Sequence, residues 1–209
     1  MITIIEAINQ LELYLLEVEE KYIESHLGTI EAPNEYIFDV KSYCILCHAA
    51  FEECIENVCL RLLQEIVDNY VLHKNISYST LCLLHFNSKA MELNDKQWKD
   101  NQRLFDHFTS ELKRIKSAYS TYVKENNHGV DLKYLKKMLI PLGIDIPQNP
   151  LHQNSLSQLA KFRGGYAHTS SRAATTLSPE DAKNYVYDVY DMTIEIAAKA
   201  RQIYYYGIY

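Results

Sequence analysis

Apolar residues along this chain recur every three or four positions, and the alternate-residue rhythm of a half-buried strand is missing throughout. Ile4, Ile8, Leu11, Leu15, Val18 and Tyr22 form one such stripe, which predicts an amphipathic helix over about residues 2–25, ended by Leu27 and Gly28 and followed by Pro33. A second, broader stripe runs through Val40, Tyr43, Cys44, Cys47, Phe51, Cys54, Ile55, Val58, Leu62 and Ile66. It predicts a long helix over about 38–70, buried on two sides as in the middle of a bundle.

Between 74 and 95 the pattern loses regularity. Ser77, Ser79 and Thr80 interrupt it, Leu81 to Leu84 suit a short helix, and Phe86-Asn87 reads as a turn. A third long helix is expected over about 96–124, carrying Trp98, Leu104, Phe105, Phe108, Leu112, Ile115, Tyr119 and Tyr122, with Asn126-Asn127-His128-Gly129 as its stop. Asp131 can cap a short helix to Ile140, after which Pro141, Gly143, Pro147 and Pro150 favour irregular chain. Asn154 or Ser155 starts the next helix. Ser178-Pro179-Glu180-Asp181 opens the last one with a capping hydroxyl, a proline at the first helical position and acids in the first turn, and that helix extends toward Ile203. The expectation is an all-α bundle of about four or five main helices in a single domain over 1–209, with room for an irregular insert at about 74–95.

Composition narrows the class. Of 209 residues 47% are hydrophobic and 23% charged, the balance of a globular domain, and no apolar run is long enough to span a bilayer. A cytoplasmic protein with no membrane partner is expected. The five cysteines, an odd number with four inside one helical stripe, do not resemble a secreted disulfide framework; they read as buried, reduced and inert. Cys44-Ile45-Leu46-Cys47-His48 lacks a second ligand pair, and no Glu-x-x-His or His-x3-His pair falls within a predicted helix, so neither metal nor cofactor is expected. The net charge of −6 argues against a protein that coats nucleic acid. Residues 1–60 hold 12 acidic and 2 basic residues and the remainder 15 and 19, so any contact with RNA is confined to a limited patch. Solvated helix faces give the same pattern.

The chemistry concentrates near residue 165. In Lys161-Phe162-Arg163-Gly164-Gly165-Tyr166-Ala167-His168-Thr169-Ser170-Ser171-Arg172, a fixed cation and a group that titrates near neutrality stand five residues apart, with two glycines between and hydroxyls behind. Cleaving RNA without metal needs a base for the 2′-hydroxyl, an acid for the leaving 5′-oxygen and positive charge on the phosphorane. Arg163 and His168 are the candidate catalytic pair. Thr169, Ser170 and Arg172 suit neighbouring phosphates, Tyr166 suits orientation or base stacking, and Lys161 adds charge. On an ideal helix positions five apart lie about 140° apart, so the pair converges only if the helix bends or ends at Gly164-Gly165.

The surrounding run, Leu159-Ala160 through Arg163-Gly164, Ala167-His168-Thr169-Ser170 and Arg172-Ala173, followed by Ser178-Pro179, resembles the RiboL-PSP-HEPN branch of the HEPN nucleases. Leu135 to Gly143 and Ala50-Phe51-Glu52 share the likeness. The resemblance implies a helical bundle, usually a homodimer, whose paired Arg-x4-6-His motifs face one another and cut RNA; Arg163 and His168 occupy those positions. Gly164 departs from it, since many members carry Asn, Asp or His there.

Two functions remain open on the sequence. One is a metal-independent endoribonuclease, a toxin or phage-defence effector, with an inhibitory or activating partner protein. The other is a noncatalytic helical module that binds RNA, nucleotide or a partner, in which Arg163 pairs with Glu52 or Glu53 and His168 caps a helix end. The aromatic tail, Tyr185, Tyr187, Tyr190 and Tyr204 to Tyr209, suits a core or a dimer seam on one reading and base stacking on the other.

Overall fold

The computed structural model describes residues 2–86, 101–126, 129–168 and 177–206; the side chains of 101–104, 126, 165–168 and 205–206 are not described. Among these residues there are seven α-helices and no strand: α1 Ile4–Tyr22, α2 Pro33–His73, α3 Tyr78–Phe86, α4 Asn101–Thr121, α5 Leu132–Leu139, α6 Pro150–His168 and α7 Pro179–Tyr206. The all-α bundle anticipated from the apolar stripes is the fold observed.

α2 is the hub. Fifteen of its residues, from Val40 to Tyr70, are buried, more than a single face can hold, and α1, α7, α6 and α4 all pack along it. Both of its ends extend past the predicted 38–70. Pro33 opens the helix, where its missing N–H costs nothing, and the Glu35 carboxylate accepts from the Ala32 N–H at 3.3 Å. At the other end Lys74 adopts a left-handed conformation, φ 57°.

Side-chain caps set several other boundaries. Thr3 and Glu6 form a reciprocal capping box on α1. The Asp131 carboxylate accepts from the Tyr134 N–H at 2.8 Å and the Ser178 hydroxyl from the Asp181 N–H at 3.0 Å, so the predicted starts of α5 and α7 hold. Two starts differ from expectation. Ser77 caps α3 by accepting from the Thr80 N–H at 3.1 Å, so the polar trio that seemed to interrupt a helix begins one. α6 begins at Pro150, ahead of Asn154, because Asn149 accepts from the Leu151 N–H at 3.0 Å and Pro150 fits the first turn.

Longer links fix the bundle's outside. The Lys183 ammonium meets the buried Glu19 carboxylate at 2.6 Å, and the Gly28 N–H donates to Glu180 at 3.1 Å, tying α7 to α1 and to the connection after it. In that connection His26 lies between Glu31, 2.6 Å from Nδ1, and Asp39, 3.1 Å from Nε2. Tyr185, Tyr190 and Tyr204 pack partly against the core, whereas Tyr187 is 42% exposed. All five cysteines are free; Cys44, Cys47, Cys54 and Cys59 are buried, and burial raises their thiols, those of Cys44, Cys54 and Cys59 to about 12. No described helix is long and apolar enough to cross a membrane.

Candidate functional site

α6 presents its inner face through Ser155, Leu156 and Leu159, all buried, in helical steps of three and four. Arg163 is one turn beyond Leu159 on that same face. The register that buries the leucines therefore turns the arginine inward, toward α2, where it is partly buried. Among the described residues Arg163 has no hydrogen bond or ion pair, so the pairing with Glu52 or Glu53 that a purely structural arginine would need is not made; Glu52 is partly buried and Glu53 exposed on α2. Lys161 is exposed.

The charge of Arg163 acts on His48, a residue that the sequence marks only as the end of a cysteine-rich string. His48 is 2% exposed and shares the buried stripe of α2 with Cys44, Phe51 and Ile55. Its Nε2 lies 3.2 Å from the Val130 carbonyl oxygen and 3.3 Å from the Val130 amide nitrogen, so the ring pins the chain just ahead of α5. Its Nδ1 is buried without a hydrogen-bond partner among the described residues. Burial, and after it the positive charge of Arg163, push the His48 imidazole down to about 4, while the Val130 hydrogen bond and the Asp131 charge pull the other way. At neutral pH the ring is uncharged. A second cation in its place would repel Arg163, and the neutral ring does not.

The remaining motif residues divide by position. α6 continues as helix through Gly164 and Gly165 to His168, its last residue, so the break anticipated at the glycine pair does not occur. Each glycine costs about 1 kcal/mol in a helix, an amount that packing of Leu159 and of the partly buried Phe162 on the core can offset. On one continuous helix Arg163 and His168 occupy positions about 140° apart, so within a single chain they do not share a face. A Cβ added to Gly164 would meet nothing within 4 Å, so a side chain has room at that position. The side chains of Tyr166 and His168, and the whole of Thr169, Ser170 and Arg172, lie outside the described residues. No cluster of three or more His, Cys, Asp or Glu suited to a metal ion is found among the described residues.

The family model for RiboL-PSP-HEPN matches residues 12–200, from the middle of α1 almost to the end of α7. The chain belongs to the RiboL-PSP-HEPN family. That assigns it to the HEPN helical modules, a class of RNase-type and RNA-binding domains. No curated protein and no solved structure gives a significant match.

Proposed function

We propose that the protein is a metal-independent endoribonuclease in which Arg163 and His168, contributed by two copies of the chain, cleave RNA to 2′,3′-cyclic phosphate and 5′-hydroxyl ends. One observation carries the reading: Arg163 is held inward by the packing register of α6 yet has no hydrogen bond or ion pair among the described residues. A guanidinium on the inward face of its helix with no internal acid to pair with is free to act as a phosphate clamp. The family match over residues 12–200 supplies the class of chemistry.

The steps follow from the residue types. One histidine takes the proton from the 2′-hydroxyl, whose oxygen attacks the phosphorus; a second histidine protonates the departing 5′-oxygen; the arginines stabilise charge on the phosphorane between them. A single His168 cannot stand on both sides of the phosphorus at once, and its 140° separation from Arg163 keeps one chain from assembling the site alone. A homodimer supplies the second set. The biological role that fits is a toxin or phage-defence effector, held in check by a partner protein because free cleavage of RNA harms its own host. Tyr166, Thr169, Ser170, Arg172 and Lys161 are the residues proposed to hold the strand.

Incubating the purified protein with total RNA and with tRNA in EDTA tests this directly. Cleavage that leaves 2′,3′-cyclic phosphate ends and falls by about 10² to 10⁴ in His168→Ala is the expected result, the usual range for losing a general acid or base. Cleavage that stops on chelation, or that is indifferent to His168→Ala, overturns the mechanism. RNA binding without any cleavage would assign the chain to the noncatalytic modules.

A further inference from the structure

α5 is a short helix with an unusual charge. Its sequence, Leu132 to Leu139, buries Leu135, Met138 and Leu139 and exposes Lys133, Lys136 and Lys137, which fall within about 100° of one another around the axis. It carries no acidic residue, and among the described residues none of the three lysines has an ion pair. Lys136 and Lys137 suit the C-terminal end of a helix dipole, but Lys133 stands in the first turn, where the dipole disfavours a cation. Helix stability does not account for it.

The placement of α5 gives the charge a use. Asp131, which caps α5, follows directly on Val130, the residue pinned by His48, and the charge of Arg163 acts on His48. Lys137 Nζ stands 5.8 Å from the centre of the Tyr122 ring and Lys133 Nζ 5.9 Å from that of Tyr134, which holds both ammonium groups over aromatic faces. Beside Lys136 opens a cleft of about 480 Å³, lined also by Leu132, Ile140, Asp145, Gln148 and Gln153. The amide nitrogens of Gln148 and Gln153 donate to the carbonyls of Ile146 and Pro147 at 2.6 and 2.7 Å, which steadies both carboxamides and leaves each a carbonyl oxygen and one N–H. The carboxylate of Asp145 is the group in the lining that can only accept, next to the ammonium donor of Lys136. Gln153 is ten residues before Arg163 on α6, about 15 Å along the axis.

We propose that Lys133, Lys136 and Lys137 with the adjoining cleft form a second binding site, in which the lysines hold the phosphates of single-stranded RNA and the cleft takes a base that carries an exocyclic amino group. The choice of RNA as the polymer rests on the cleavage reading above. The Asp145 carboxylate favours cytosine, whose 4-amino group donates, over uracil, which offers a carbonyl at the same place, whereas the carboxamides of Gln148 and Gln153 can pair with either. The site lies off the reacting centre and acts by anchoring the strand, so that binding energy gained there positions the phosphate near Arg163.

The test is fluorescence anisotropy with labelled oligo(C) and oligo(U) dodecamers, in the His168→Ala protein so that no strand is cut. The triple substitution Lys133→Gln, Lys136→Gln, Lys137→Gln is compared with Lys74→Gln, Lys113→Gln, Lys116→Gln, which changes net charge equally elsewhere; glutamine preserves helix propensity, and circular dichroism checks both folds. The α5 triple should weaken oligo(C) binding roughly 10-fold to 100-fold at 0.1 M salt and reduce the slope of log affinity against log salt by about 2, while the control triple does neither. Oligo(C) should bind more tightly than oligo(U), and Asp145→Asn, which adds a donor, should erase that preference. Equal losses in the two triples, a preference for duplex over single strand, or equal binding of the two oligomers overturns the proposal. Lysine-dependent binding in a protein that cleaves nothing leaves this site standing while the endoribonuclease reading fails.

Discussion

A side chain at Gly129 would collide with the ring of His48: a Cβ built there stands 3.0 Å from Cε1 and 3.6 Å from Nε2. Gly129 also has φ +135°, a backbone region that residues with a Cβ rarely enter. The glycine therefore allows the chain after α4 to lie flat against His48, so that Val130 reaches Nε2. Gly129→Ala combines backbone strain with overpacking and should destabilise the fold by about 2 kcal/mol or more. Thermal unfolding measures this, and a melting temperature within about 1 °C of the parent would show that the contact yields cheaply.

His48 gives the fold a pH dependence with a definite sign. Its folded-state value of about 4 is below the unfolded value of about 6.5, so the unfolded chain binds the proton first as pH falls. The neutral ring's contribution is complete above about pH 6.5 and is lost as pH drops through 4. At pH 4.5 the loss should be about 2 to 3 kcal/mol relative to pH 7.5. His48→Gln keeps a hydrogen-bonding group near Val130 and removes the titration. Urea unfolding of parent and variant at the two pH values should show the variant losing less; equal losses would mean that another group sets the acid limit.

His26 acts in the opposite direction. Its hydrogen bonds to Asp39 and then Glu31 raise its value, because both carboxylates favour the imidazolium. Its contribution is full below about pH 6.5 and disappears as pH climbs through the raised folded value. His26→Asn should therefore cost stability at pH 6 and little at pH 9. A penalty that is the same at both would assign His26 a packing role, such as its edge contact with Tyr36 at 6.3 Å between ring centres.

How far the sequence carried this picture depended on the range of each interaction. The amphipathic stripes of α1 and α2, and the caps Asp131 and Ser178, are local features, and each reappears in the structure. Pro33 and Pro150 were read as loop residues because a proline at the first helical position looks the same in sequence as one in a turn; only the Glu35 and Asn149 contacts distinguish them. His48 was visible on the apolar stripe of α2, a sign of burial, but its partner Val130 lies 82 positions away and nothing local links the two. Arg163 was legible as a motif residue. That it faces inward follows from its spacing to Leu159, whereas the effect of its charge on His48 required the fold.

Gly164 separates stability from function. Its place in α6 is open, with nothing within 4 Å of an added Cβ, so Gly164→Ala should stabilise the helix by about 0.5 to 1 kcal/mol and raise the melting temperature by a few degrees. Gly164→Asn restores a polar side chain beside Arg163, as many members of the superfamily carry, and should raise the rate of RNA cleavage. If the alanine variant melts lower than the parent, the helix register around Arg163 is wrong.

The assembly of the site gives the last prediction. Since one continuous helix sets Arg163 and His168 about 140° apart, the proposed cleavage would need two copies of the chain, each adding its histidine to a shared cleft. Lys161 and Arg163 from each copy would then join into a groove that attracts RNA despite a net charge of −6. Mixing the parent with an excess of His168→Ala should depress activity well below the parent's share, because mixed dimers lack either the base or the acid. Arg163→Lys should also fail in a folded protein, as a point charge does not reproduce the planar fork that grips two phosphoryl oxygens. Light scattering that finds a fully active monomer, or mixed dimers that keep half the parent's activity, would return the whole reaction to a single chain and remove the reason for pairing.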